Sequence, residues 1–106
     1  MYARIVTCTL PPEKQGELNN ILGDQVLPIL KDQPGFVDLV GMASDDHPDH
    51  VLGMSLWKTK GDADRFYTHA APMVDALAPL ATSPPTVEHY NVQTSTFQYV
   101  AASKAA

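Results

Sequence analysis

Cysteine is almost missing from this chain: Cys8 is the only one in 106 residues. A single thiol excludes an intrachain disulfide and any zinc site built from several cysteines. Free cysteine packs as a small hydrophobe, so Cys8 is expected to be buried and inert. Long apolar runs are missing too, and none approaches the ~20 residues that span a bilayer. Arg4 and Thr7 interrupt the start, where a secretory signal would be continuously apolar. The expectation is a soluble cytoplasmic protein with no membrane partner. Basic charge is scarce, since seven Lys and Arg against twelve Asp and Glu give a formal charge of −5. Nucleic-acid binding calls for a clustered basic surface, and these cations form no stripe, so that partner is excluded. No Gly-rich phosphate loop, nucleophile elbow, or flavin or nicotinamide fingerprint occurs, and neither a cofactor nor a metal is expected.

Proline is plentiful, and its nine copies fall at joints. Tyr2 to Leu10 is rich in β-formers and reads as a strand ended by Pro11-Pro12. Leu18, Ile21, Leu22, Val26, Ile29 and Leu30 then make one apolar stripe of a helix from about Glu13 to Lys31. Pro28 inside it removes a backbone donor and predicts a kink. Pro34-Gly35 stops the helix. Phe36 to Ser44 reads as a second strand, with Val37, Leu39, Gly41 and Ala43 on one side and Phe36, Asp38, Val40 and Met42 on the other. After the polar turn at residues 45–50, Val51 to Lys58 returns as a third strand. Two short helices follow, one from near Gly61 carrying Phe66, Tyr67 and His69, the next from Pro72 carrying Met73, Leu77 and Leu80. Thr86 to Val92 is the last strand.

This order is the α+β, ferredoxin-like βαββαβ arrangement, with a four-stranded antiparallel sheet and helices on one side. The length suits one domain, taken as residues 1–94, with residues 95–106 as a C-terminal tail. The strands are apolar on both faces, as Leu39 beside Val40 and Leu56 beside Trp57 illustrate. A large apolar face left in water is an interaction site, so a homodimer through the sheet faces is expected. Phe97 to Val100 is placed over the partner, and the Ala-rich end is expected to fray.

Pro34-Gly35-Phe36 before the second strand, Ser55-Leu56-Trp57-Lys58 closing the third, the helix with Asp64, Phe66, Tyr67 and His69, and Val87-Glu88-His89-Tyr90 in the last strand carry a resemblance. The chain resembles the dimeric α+β-barrel superfamily, and within it the antibiotic-biosynthesis-monooxygenase-like domains, over about residues 2–94. The resemblance implies a dimer barrel and, in each subunit, a pocket between sheet and helices. It also implies oxygenation of a small aromatic, anthrone or quinol substrate without a cofactor. Such a substrate, held as its anion, can pass an electron to oxygen. The alternative is a non-catalytic dimer that binds a small apolar ligand or serves a pathway as an accessory protein. The haem-degrading branch is disfavoured, because the first strand holds no asparagine and Phe66 and Tyr67 stand where a tryptophan is wanted.

Tyr67 and His69 are the catalytic candidates, and Trp57, Phe66, Met73 and His89 the substrate-binding ones. Each has a structural reading beside it. Trp57 is a natural core anchor. Phe66 and Tyr67 are adjacent on a helix, so only one is expected to face the sheet. A histidine at a helix end suits the dipole; as a base, His69 would ionise in the range needed to deprotonate a phenol. Met42, Met54 and Met73 suit core filling. Arg4 pairs with Asp38 or Glu88, or contacts an anionic ligand. His47 and His50 lie among aspartates in a cluster that reads either as a metal site or as a solvated turn.

Overall fold

The computed structural model describes residues 1–68 and 70–96. Strand β1 spans Tyr2–Thr9, β2 Phe36–Ala43, β3 His50–Trp57 and β4 Thr86–Asn91. They form one sheet in the order β2-β3-β1-β4, with each neighbouring pair antiparallel. Helices α1 (Gln15–Ile21) and α2 (Leu27–Lys31) lie between β1 and β2, and α3 (Lys60–Tyr67) and α4 (Pro72–Leu77) between β3 and β4. This is the ferredoxin-like α+β fold read from the order of elements. His69, Phe97 to Val100 and the Ala-rich end lie outside the described residues.

The long first helix differs from its expected form in an informative way. A 3-10 turn, Pro12–Lys14, opens it, and a π turn, Leu22–Val26, separates α1 from α2. Pro28 offers no N–H to the carbonyl one turn earlier, so the ladder must be rearranged there. A wide turn just before the proline, closed by Leu27 N–H on the Leu22 carbonyl, supplies that adjustment. The exit at Gly35 was legible: its φ of 79° is left-handed, a region that an L side chain enters only with strain. Gly35 also gives the Asp62 side chain room, since a Cβ there would stand 2.7 Å from Asp62 Cβ.

A bulge between Phe36 and Asp38 corrects the expected parity of β2. Phe36 pairs with Trp57 and Asp38 with Leu56, so Phe36 joins Leu39, Gly41 and Ala43 on the helix-covered face. Helix α3 starts as foreseen. Thr59 Oγ1 accepts from the Asp62 amide at 3.1 Å and donates to Asp62 Oδ2 at 2.8 Å, a reciprocal cap that Arg65 extends at 3.1 Å.

The core fills the space between sheet and helices in two groups. Val6, Leu10, Leu18, Met73 and Leu77 form one; Tyr2, Leu30, Trp57 and Phe66 anchor the other. Cys8 is buried as expected, and burial pushes its thiol pKa up. On the uncovered face the register aligns Val40, Met54 and Ile5 in one row and Met42, Leu52 and Thr7 in the next. Met42 there is 49% exposed. No helix among the described residues is long and apolar enough to cross a membrane.

Candidate functional site

Strand register sorts the helix-covered face into rows. Gly41 pairs with Gly53, and Gly53 with Val6, so two glycines and a valine form one row. Successive same-face residues on a strand lie about 7 Å apart, and the row one such step along is Leu39, Ser55, Arg4 and His89. Beyond it come Phe36, Trp57, Tyr2 and Asn91. A row with two glycines therefore abuts one carrying Ser55, Arg4 and His89, and the three aromatics Phe36, Trp57 and Tyr2 lie behind.

The glycine row makes a slot. A Cβ on Gly41 would meet nothing within 4 Å, whereas one on Gly53 would fall 2.8 Å from Met73 Sδ and Cε. A cavity of about 120 Å³ lies there, floored by Gly41 and Gly53 and walled by Leu18, Leu22, Met73 and Leu77. Gly41 is exposed on the edge strand, so the slot opens at that edge. An isolated glycine inside a strand pattern signals close approach or open space. Gly41 and Gly53 carried that signal in the sequence, and it was missed.

The polar row is organised around Ser55, 2% exposed. Its Oγ accepts a hydrogen bond from Trp57 Nε1 at 3.1 Å and lies 3.0 Å from the Tyr67 hydroxyl. Trp57 is wholly buried, against Phe36 at 5.5 Å, Phe66 at 5.6 Å and Tyr67 at 5.8 Å between ring centroids. Both aromatics at the end of α3 thus reach the sheet, where only one was expected to. Phe66 stacks on the indole and Tyr67 meets it edge-on. Tyr67 also lies beneath Arg4, whose Cζ is 3.7 Å from the ring centroid.

Arg4 corrects another expectation. Register puts Asp38 and Glu88 on the opposite face, with Leu56 and Ile5, so neither is its ion-pair partner. Asp38 accepts from the Leu39 amide and Glu88 from the Tyr90 hydroxyl, which raises the Tyr90 pKa. His89 joins the polar row opposite Arg4 and stacks on Tyr2, with centroids 6.0 Å apart. Of the sequence candidates, Trp57, Phe66, Tyr67 and His89 are therefore brought to one end of the face. Met73 stands apart, over the slot.

The cluster at residues 45–50 is a turn. Ser44 Oγ accepts from the His47 amide, and the His47 carbonyl from the His50 amide. Among the described residues no three His, Cys, Asp or Glu side chains converge as metal ligands. A larger hollow, about 600 Å³, lies on the uncovered face by Thr7, Leu52 and Thr86. Its threonines are already paired, Thr7 with Thr86 and Thr9 with Thr82. The smaller slot lies between the sheet and the helices, which makes it the better candidate for a ligand; one same-face row away, Arg4 Nε and Nη1 are buried with no hydrogen-bond partner among the described residues.

Several solved structures share this fold. A monooxygenase from Streptomyces coelicolor in complex with nanaomycin D superposes with a TM-score of 0.74 at 19% identity, covering 89% of this chain and 88% of that one. A cofactor-independent oxygenase from Streptomyces nogalater gives 0.71 at 16% identity, over 90% and 95%. A conserved protein from Methanosarcina mazei gives 0.68 at 18% identity, over 88% and 94%. No curated protein matches the sequence. The antibiotic biosynthesis monooxygenase family, however, matches residues 1–72. That span runs from β1 through the glycine slot and α3 to the start of α4, and the chain belongs to this family.

Proposed function

We propose that this chain is a homodimeric, cytoplasmic oxygenase of small electron-rich aromatics that needs no bound prosthetic group. The observation that carries the reading is the apolar glycine slot between the sheet and the helices, one same-face step from the row of Ser55, Arg4 and His89. Family membership and the two oxygenases of similar fold support it.

The ring of the substrate lies over Gly41 and Gly53 with its hydroxyl toward Ser55 and Tyr67. Tyr67 orients that hydroxyl, while Trp57 and Phe66 hold Tyr67 in place through their ring contacts. His69 and His89 are the groups proposed to take up the proton. In the overall reaction one oxygen atom enters the substrate carbon and the other leaves as water, with all four electrons drawn from the substrate. A quinol with a free ring position thereby yields a hydroxyquinone.

Size selects among substrates. A cavity of roughly 150 Å³ accepts a benzene ring, and the slot measures about 120 Å³. A single-ring quinol or phenol therefore fits with a small shift of Met73, whose three rotatable bonds allow it. A tricyclic anthrone demands a larger one.

A second copy of the chain is proposed to cover the apolar face around Val40, Met54 and Leu52. Sedimentation at low micromolar concentration tests that, with Met54→Glu expected to yield monomers. Oxygen uptake with single-ring quinols and with anthrones tests the chemistry. Consumption above autoxidation, faster for the single rings, is expected. No rate above the buffer control across the panel overturns the oxygenase reading, and binding without turnover would place the chain among accessory ligand-binding proteins.

A further inference from the structure

Apart from Gln15 and Asn19, every described residue lining the glycine slot is apolar or a glycine. No acid, base or histidine is among them, so a charged group that enters there meets no counter-charge. The two exceptions lie four apart on α1 and therefore share one helix face. Gln15 Nε2 donates to the Pro48 carbonyl at 2.6 Å, which ties α1 to the turn between β2 and β3. A carbonyl can only accept, so the amide nitrogen is spent on Pro48 and Gln15 Oε1 remains as an acceptor. Asn19 is exposed and, among the described residues, makes no side-chain hydrogen bond, so its donor and its acceptor are both open to a ligand.

Register puts these carboxamides at the end of the slot away from Ser55. The glycine row has the Ser55 row on one side and the Ala43–Val51 pair on the other, and the turn that holds Pro48 continues from that pair. About 120 Å³ holds no more than one ring, so a group para to the hydroxyl placed toward Ser55 projects to α1. We infer that Gln15 and Asn19 set the specificity of the slot, which takes uncharged single-ring phenols whose para substituent both donates and accepts hydrogen bonds, as a primary carboxamide does. The inference rests on the slot being the ligand site, and it names what is admitted at the end remote from the reacting hydroxyl. The ligand N–H donates to Gln15 Oε1, and its carbonyl accepts from Asn19 Nδ2. A para methyl ketone keeps the acceptor and loses the donor. A para carboxylate brings no donor either, and its charge is offset by nothing that lines the slot.

The test compares 4-hydroxybenzamide, 4-hydroxyacetophenone and 4-hydroxybenzoate by equilibrium titration at neutral pH. The wild-type chain should bind the amide at least about threefold more tightly than the ketone, the effect of one net hydrogen bond. It should bind the amide at least about tenfold more tightly than the carboxylate. Gln15→Met should erase the advantage over the ketone, and Asn19→Lys should lift the carboxylate above the amide. The wild-type order needs no variant, so the inference stays falsifiable even if Gln15→Met, by releasing the turn, folds poorly. A ketone or carboxylate that binds the wild-type chain as tightly as the amide overturns the role of the two carboxamides and leaves the slot standing. So does an order that is unchanged in both variants. Failure of all three probes to bind, or binding that Gly41→Val leaves untouched, overturns the slot along with it.

Discussion

Placing a side chain at Gly41 separates stability from binding, because the two should move in opposite directions. Gly41 lies in β2, has no positive φ, and would direct a Cβ into open space. Valine at this position is therefore free of strain and well suited to a strand. Glycine inside a strand costs about 0.5–1 kcal/mol relative to alanine, and β-branching adds a further preference. For a chain of this size 1 kcal/mol moves the melting midpoint by about 4–8 °C, so Gly41→Val should raise it by roughly 2–8 °C. The same three carbons would occupy much of a slot of about 120 Å³ and stand at its mouth. Binding of 4-nitroanisole should weaken at least about tenfold, or ~1.4 kcal/mol. Thermal melting and equilibrium titration on one preparation suffice. A higher midpoint with unchanged affinity refutes the slot as the ligand site, and a lower midpoint refutes the open space above Gly41.

Ser55→Ala removes the acceptor of Trp57 Nε1 and the partner of the Tyr67 hydroxyl; leaving a buried donor unpaired should cost about 1–3 kcal/mol in urea unfolding. No measurable loss would mean that the network contributes nothing. Gly35→Ala forces a left-handed φ of 79° on alanine and drives its Cβ against Asp62. It should destabilise by more than about 1 kcal/mol, and a neutral result would refute the strain. The pKa of Asp62 is lowered, first by the Thr59 hydroxyl and then by Arg65. Its contribution to stability is thus complete above the ordinary carboxylate value and is lost as pH falls through the lower folded value. Asp62→Asn should flatten the acid side of the stability profile below about pH 4; superimposable profiles would refute the assignment.

The register of β1 marks the limit of what could be read from the chain. Arg4 was correctly placed in a strand, yet whether it faced acids or aromatics depended on pairing with Ser55 and His89, which are remote in sequence. The bulge after Phe36 shows the same limit. One unpaired residue reverses a side, and alternation through Phe36, Asp38 and Val40 gives no hint of it. Pro28 did announce a disturbance, although not that a π turn would absorb it.

Periodicity and punctuation are local, and they were enough for the order of strands and helices, the halt at Pro34-Gly35, the turn at residues 45–50 and the burial of Cys8. Each follows from backbone preferences or from the hydrophobicity of near neighbours. The site is not local. Two glycines became a slot, and an arginine came to lie buried over the Tyr67 ring, only when antiparallel pairing set β3 between β2 and β1. The free energy of that pairing is spread over whole strands, so no short segment encodes which side chains it brings together.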